Sequence, residues 1–255
     1  MLAAERKNLI LERIQEEKKV IVSELSQEFN VSEETIRRDL EKLSDEGFVT
    51  KIYGGAIYNE KNSIDLPFNV RWKTNPLGKQ IIGELVSRQI EDGDHIILDA
   101  STTAVFIAKH IKEKKYLTII TNSIENLLEL SDVSGWNIIS TGGHLNSSLM
   151  SLLGKNAMNS VESYNCDKVF LSCKGFDLEN GATDGNDETA GIKQKMIASA
   201  NKVYLAVDST KFDKVAFSRI CNLSDIDVIV TDKKPAEVWL AKFEKLGIEC
   251  IYGME

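Results

Sequence analysis

The chain has 255 residues, 42% hydrophobic and 27% charged, an ordinary globular composition that excludes collagen-like, low-complexity and wholly disordered chains. Its 31 Lys and Arg against 39 Asp and Glu give a net charge of −8, so a nucleic-acid surface would have to come from local arrangement. No apolar run reaches the roughly 18 residues of a membrane span, the start MLAAERKNLI lacks a signal-peptide core, and four cysteines and three histidines show no metal-ligand spacing. The expectation is a reduced, cytoplasmic protein without metal, cofactor or membrane partner.

Residues 5–16 carry a short helical stripe (Leu9, Ile10, Ile14), and 23–29 form a second short helix with Leu25 and Phe29. Asn30 suits a turn, and Ser32 offers an N-cap hydroxyl to a third helix over about 33–46 with its seam at Ile36, Leu40 and Leu43. Residues 48–53 alternate like a strand, and Gly54-Gly55 turns the chain into 56–58. This is the layout of a winged helix-turn-helix, a small α+β domain over 1–57. Those residues hold nine Lys and Arg against twelve Asp and Glu, so they are not basic in bulk.

Residues 58–74, polar at first and then Pro67, read as a linker. Over 75–255 the pattern becomes apolar strands at 95–98, 117–120, 137–140, 168–172, 203–207, 227–230 and 248–252. Helices are expected at 79–90, 102–112, 123–130, 187–200 and 236–246. Near-continuous β-branched strands between helices predict an α/β domain with a mostly parallel sheet covered on both faces.

The polar residues after the strands carry the chemistry. Asp99 precedes Ser101, Thr102 and Thr103; Thr121 and Asn122 end the next strand; Gly142-Gly143 follows the third; Lys174 follows the fourth, and Asp208 and Lys211 the fifth. Ligands of parallel sheets bind outside the carboxyl ends of the strands, where helix N-termini favour anions. Hydroxyls, glycines and lysines there describe a site for phosphate and polyol. Ser101 to Thr103 would donate to phosphate, Gly142 and Gly143 would let backbone N–H groups approach, and Asp99 and Asp208 would accept sugar hydroxyls. The competing reading is that such residues only cap the following helices. His95 reads as structural, while His144, next to the glycine pair, could approach a ligand. No GxGxxG or P-loop pattern is present.

In a helix-turn-helix the second helix of the motif, here 33–46, enters the major groove. Ser32 and Thr35 suit contacts near its start, Arg37 and Arg38 offer bidentate contacts to guanine or phosphate, Lys42 adds a phosphate contact, and Lys51 reaches the backbone from the hairpin. The alternative is a solvated helix whose arginines pair with Glu33, Glu34, Glu41 or Glu46.

The run VSELSQEFNVSEETIRRDLEKLSDEGFVTKIYGGA (22–56) resembles the N-terminal domain of the DeoR family of bacterial transcriptional regulators. LDASTT (98–103), TNS (121–123), GG (142–143), DKVFLSCKGFD (167–177), LAVDSTKFDKVAF (205–217) and VTD (230–232) resemble its sensor domain. The resemblance implies a winged helix-turn-helix joined to a ribose-5-phosphate isomerase and CoA-transferase-like domain. Such a domain senses a phosphorylated sugar or sugar alcohol that releases the operator. It implies DNA contact by Ser32, Thr35, Arg37 and Arg38. It implies effector contact by Asp99, Ser101 to Thr103, Thr121, Asn122, Gly142, Gly143, Asp208 and Lys211. Departures from the family pattern fall at Gly78, Asn146, Lys174 and Thr189.

The expectation is a repressor of a carbohydrate-uptake or catabolic operon, with operator DNA as partner and a homodimer or homotetramer as working unit. No catalytic residue is assigned. A sugar-phosphate isomerase would need a carboxylate base; Asp99, Asp208 and Glu188 are available, but no arrangement singles one out.

Overall fold

A computed structural model describes residues 2–59 and 65–253. The chain divides into two units, Met1–Thr74 and Asn75–Glu255. In the first, the apolar periodicity folds into α1 (Ala3–Glu17), β1 (Lys19–Ile21), α2 (Val22–Glu28), α3 (Glu33–Asp45), β2 (Val49–Ile52), β3 (Gly55–Tyr58) and α4 (Phe68–Lys73). Ser32 caps α3 by accepting from the Thr35 N–H at 3.2 Å, and Asn30 takes the left-handed conformation expected of it (φ 50°). The three strands form an antiparallel sheet in the order β1-β3-β2. A Cβ at Gly55 would run into the Val20 carbonyl, so the wing closes against β1 only with glycine there. Ile10, Ile14, Leu25, Ile36, Leu40 and Leu43 fill one core.

The same core takes in Val70 from α4, with Leu66 packed against it. Residues 68–73, expected as linker, are therefore a helix of the first unit, held by an apolar side chain that a short polar-rich stretch disguised. Residues 60–64 of that expected linker lie outside the described residues.

The second unit runs α5 (Pro76–Ser87), β4 (His95–Leu98), α6 (Thr102–His110), β5 (Thr118–Thr121), α7 (Ile124–Leu130), β6 (Asn137–Ser140), β7 (His144–Asn146), β8 (Ser151–Leu153) and α8 (Lys155–Glu162). It continues with β9 (Cys166–Leu171), β10 (Gly175–Asp177), β11 (Gly181–Asp184), α9 (Asp187–Ala198), β12 (Ala200–Ala206), β13 (Ser218–Cys221), β14 (Val228–Thr231), α10 (Glu237–Leu246) and β15 (Glu249–Tyr252). Seven strands form one sheet in the order β15-β14-β12-β9-β4-β5-β6, with every pairing parallel.

Alternate strand residues feed two apolar layers, as the two-residue period of a strand requires. Ile96, Leu98, Phe170 and Tyr204 pack with Ile82 of α5 and Ile107 of α6. Ile97, Val169, Leu171 and Leu205 pack with Met196 of α9 and Trp239 of α10. Burying both faces is what makes the strands read as unbroken apolar runs. Cysteines 166 and 221 sit in the second layer, where burial pushes their thiols up to about 11 and about 12. Two small sheets were not foreseen, β7-β8 and β10-β11-β13. No helix among the described residues is long and apolar enough to cross a membrane.

Candidate functional site

The exposed face of α3 is lined by ion pairs that water can reach. Arg37 donates to Glu33 at 2.6 Å and Arg38 to Glu34 at 3.2 Å, with the side chains 56% and 74% exposed. Such pairs one helical turn apart are worth about 0.3–0.5 kcal/mol, so either guanidinium is free to exchange its partner. Lys42 is exposed on the same helix, and Lys51 on β2 reaches Glu41 at 2.9 Å. The Lys51 hydrogen bond and charge hold the Glu41 carboxyl below its usual value. Thr35 is half-buried, and its hydroxyl lies 2.9 Å from that of Ser32.

Behind that face lies a pair of another kind. Arg6 of α1 donates to Asp39 of α3 at 2.6 Å with both side chains under 10% exposed. It fixes the pitch at which α3 is presented, and its own cation is not offered to a partner.

In the second unit all seven parallel strands open their carboxyl ends on one edge. The strand order reverses direction between β4 and β9, since the chain goes from β4 to β5 and β6 on one side and from β9 to β12, β14 and β15 on the other. Asp99 follows β4 at that switch point and is fully buried. Its Oδ1 accepts from the Ser101 N–H at 3.0 Å; its Oδ2 accepts from the Ser172 N–H at 2.9 Å and lies 3.2 Å from the Lys193 ammonium. Lys193 of α9 also donates to Asp184 and to the Ser172 carbonyl, each at 2.7 Å. Burial works to strip the lysine of its proton, but Asp184 and Asp99 outweigh burial and hold its pKa up. Asp99 thus spends its carboxylate on the frame that joins β4, β9 and α9, whereas the sequence suggested a free acceptor for sugar hydroxyls.

Ser101 caps α6 by accepting from the Ala104 N–H at 3.0 Å, and Thr102 and Thr103 are buried at the first turn with no side-chain hydrogen bond to another described residue. Thr121 is buried, its hydroxyl accepting from the Ser123 N–H and from the Asn126 amide, each at 3.1 Å. Asn122 donates its amide to the Leu152 carbonyl at 3.1 Å. Gly142 and Gly143 both have positive φ, and a Cβ at Gly143 would strike the Leu153 carbonyl oxygen, so the glycine pair lets β8 pass close by.

At the end of β12, Asp208 accepts from the Thr210 N–H at 3.0 Å and from its hydroxyl at 2.5 Å. Burial works to raise the Asp208 carboxyl, but the Lys211 ammonium, the Thr210 hydroxyl and the Lys79 ammonium outweigh it and hold the carboxyl below the usual carboxylate range. Asp232 after β14 accepts from the Ser209 N–H at 2.6 Å and from Asn75 at 3.2 Å. Lys174 is half-buried before β10, and exposed His144 lies 3.6 Å from Glu188.

The description "DeoR-like helix-turn-helix domain" fits residues 6–62, and "DeoR C terminal sensor domain" fits residues 74–233. The HTH-type transcriptional regulator YulB of Bacillus subtilis is 40% identical over 253 residues, 98% of each chain. This chain belongs to the DeoR family. The HTH-type transcriptional regulator GolR of Listeria innocua is 32% identical across 97% of this chain and 98% of its own. Ribose 5-phosphate isomerase A of Methanocaldococcus jannaschii is similar over 55% of each chain at 14% identity and a TM-score of 0.41, a likeness that carries no chemistry across.

As a DeoR-family member the chain is a DNA-binding transcriptional regulator with a sensor domain. Buried polar groups of that domain escaped sequence reasoning, among them Lys193, Asp184, Asn126 and Ser151. Lys193 and Asn126 sit in helices, where a polar side chain ordinarily points to solvent. A signal existed in the spacing, because Lys193 falls on the buried stripe of Ala190 and Met196, and Asn126 on that of Leu130. Of the departures from the family pattern, Thr189 joins the N-cap of α9 through Asn186, and Asn146 accepts from the Leu149 N–H. A side chain at Gly78 would collide with Asn75 and Asp232.

Proposed function

We propose that this regulator is a repressor of a carbohydrate operon, released from its operator by a phosphorylated sugar or sugar alcohol bound at the strand ends of the second unit. The observation that carries the reading is the edge itself. Two threonines, Thr102 and Thr103, open the nine-residue helix α6, and on the same edge Lys79 and Lys211 flank Asp208. A helix N-terminus with free hydroxyl donors favours a phosphate, and cations nearby add to it. Gly142, Gly143 and Lys174 line the approach, and Asp208 takes a sugar hydroxyl. The name of a relative, the HTH-type transcriptional repressor GlcR of Bacillus subtilis, 32% identical over 251 residues, supports repression as the sign.

The α3 face reads the operator through Arg37 and Arg38, with Ser32, Thr35, Lys42 and Lys51 on the phosphates. One reading head serves one half-site, so the working unit is a homodimer or higher. Release is linkage: a ligand that binds the DNA-incompetent arrangement more tightly shifts the population by no more than its differential affinity.

A thermal-shift panel of phosphorylated sugars and sugar alcohols on the intact chain tests the effector class. A ligand at a hundred times its Kd adds about 2.7 kcal/mol, and about 2–4 °C per kcal/mol then raises the midpoint by several degrees. A selective shift that vanishes in Thr102→Ala and Lys211→Ala supports the reading. A panel without a hit refutes the phosphorylated class.

A further inference from the structure

Among the described residues four buried side-chain oxygens have no hydrogen-bond partner. Three lie round the end of β5: Asn122 Oδ1, Asn126 Oδ1 and Ser151 Oγ; the fourth belongs to Glu12 in the first unit. The three residues are 2%, 0% and 1% exposed. Folded proteins seldom bury a polar atom unpaired, and a cluster of them points to a group that is not part of the chain.

The hydrogen-bond network brings these residues together and sets the polarity of the two amides. The Leu152 N–H donates to the Asn122 carbonyl at 2.7 Å and Ser151 bridges Ser123, so the strand carrying Ser151 runs antiparallel past the end of β5. Asn122 anchors its NH2 group on the Leu152 carbonyl. Asn126 anchors its own on the Asp99 carbonyl at 3.0 Å and on the Thr121 hydroxyl. Turning either amide over would set its oxygen against a main-chain carbonyl oxygen, so both amide oxygens are left as acceptors.

The two amide oxygens only accept, while the Ser151 hydroxyl accepts and donates, so together they suit hydroxyl groups, which do both. We propose that Asn122, Asn126 and Ser151 form a hydroxyl-reading subsite that selects the polyol end of the effector. The inference rests on the sensor reading above and divides the ligand between two ends: phosphate at the first turn of α6, neutral hydroxyls at the end of β5. Asp99 ties the two together, since its main-chain carbonyl holds Asn126 while its carboxylate receives the Ser101 N–H ahead of α6.

The test is calorimetric titration of the intact chain with the sugar phosphate that shifts the wild type most, its monodeoxy analogues and inorganic phosphate. Ser151→Ala removes an oxygen with no partner in the protein, so the fold is kept and the thermal midpoint does not fall. Its affinity for the sugar phosphate is expected to drop about tenfold, the worth of one hydrogen bond. One deoxy analogue then binds wild type and variant alike, and inorganic phosphate is unaffected. Asn122→Ala gives a second reading of the same loss. Unchanged affinity in both variants, while Thr102→Ala still abolishes binding, overturns the subsite and leaves water as the cap of these oxygens, with the sensor reading intact. Failure of every phosphorylated sugar to bind the wild type overturns the sensor reading and the subsite with it.

Discussion

The two units use the same ion pairs to opposite ends. On α3 of the first unit, Arg37 and Arg38 hold Glu33 and Glu34 in the open, with 46–74% of each side chain exposed. In the second unit, Lys193 holds Asp99 and Asp184 with no side chain above 9%. An exposed pair contributes little to stability and is free to exchange its partner. A buried triad is costly to break, because any member left alone is an uncompensated charge away from water, and so it serves to fix geometry. Burial, not residue type, decides which pairs are available for recognition.

The comparison breaks first at Lys193. Lys193→Met leaves Asp99 and Asp184 buried without their cation and is expected to destabilise the second unit by about 3–5 kcal/mol, measured as a lower urea midpoint. A loss under about 1 kcal/mol would mean that the triad is solvated in solution. Arg38→Ala, by contrast, should leave the urea midpoint within about 0.5 kcal/mol and cost about 1–3 kcal/mol of operator binding if the guanidinium reads a base. Equal affinity for operator and random DNA in that variant would assign Arg38 to its helix alone. A smaller effect is expected at Lys51→Ala, which should weaken all DNA sequences alike and reduce the salt slope by about one unit, by anisotropy at several salt concentrations.

The pH dependence of Asp208 sharpens the contrast most gently. Its carboxyl is held below the ordinary Asp value, so it contributes stability that is full above about pH 4 and is lost as the pH falls through its lower folded pKa. The stability difference between wild type and Asp208→Asn should therefore shrink on acidification. A gap that widens towards low pH would reverse the sign assigned to Lys211 and Lys79.

What sequence made legible follows the same division. Long-range order came through wherever burial is two-sided and apolar: all seven strands expected from β-branched runs joined one parallel sheet, with end shifts of up to three residues, as at Ala200–Ala206 against 203–207. The head was legible because its periodicity, its Ser32 cap and its Gly54-Gly55 turn agree. The small sheets escaped because Gly175–Asp177, Gly181–Asp184 and Ser218–Cys221 are short, polar strands that pair antiparallel and have no apolar run to announce them. The strand-end positions of the candidate residues were readable from topology. Their contacts were not: Asp99 reads as a free acceptor until its partner Lys193, 94 residues away, is seen in the fold.

Operator release is the most direct test that ligand sensing in the second unit is coupled to DNA binding by the first. A duplex selected from random DNA by the intact chain, labelled and followed by anisotropy, is titrated with each phosphorylated sugar that stabilises the protein. One such sugar is expected to lower DNA affinity in the wild type and leave it unchanged in Thr102→Ala. DNA affinity that stays constant while calorimetry shows the same sugar bound would contradict the coupling.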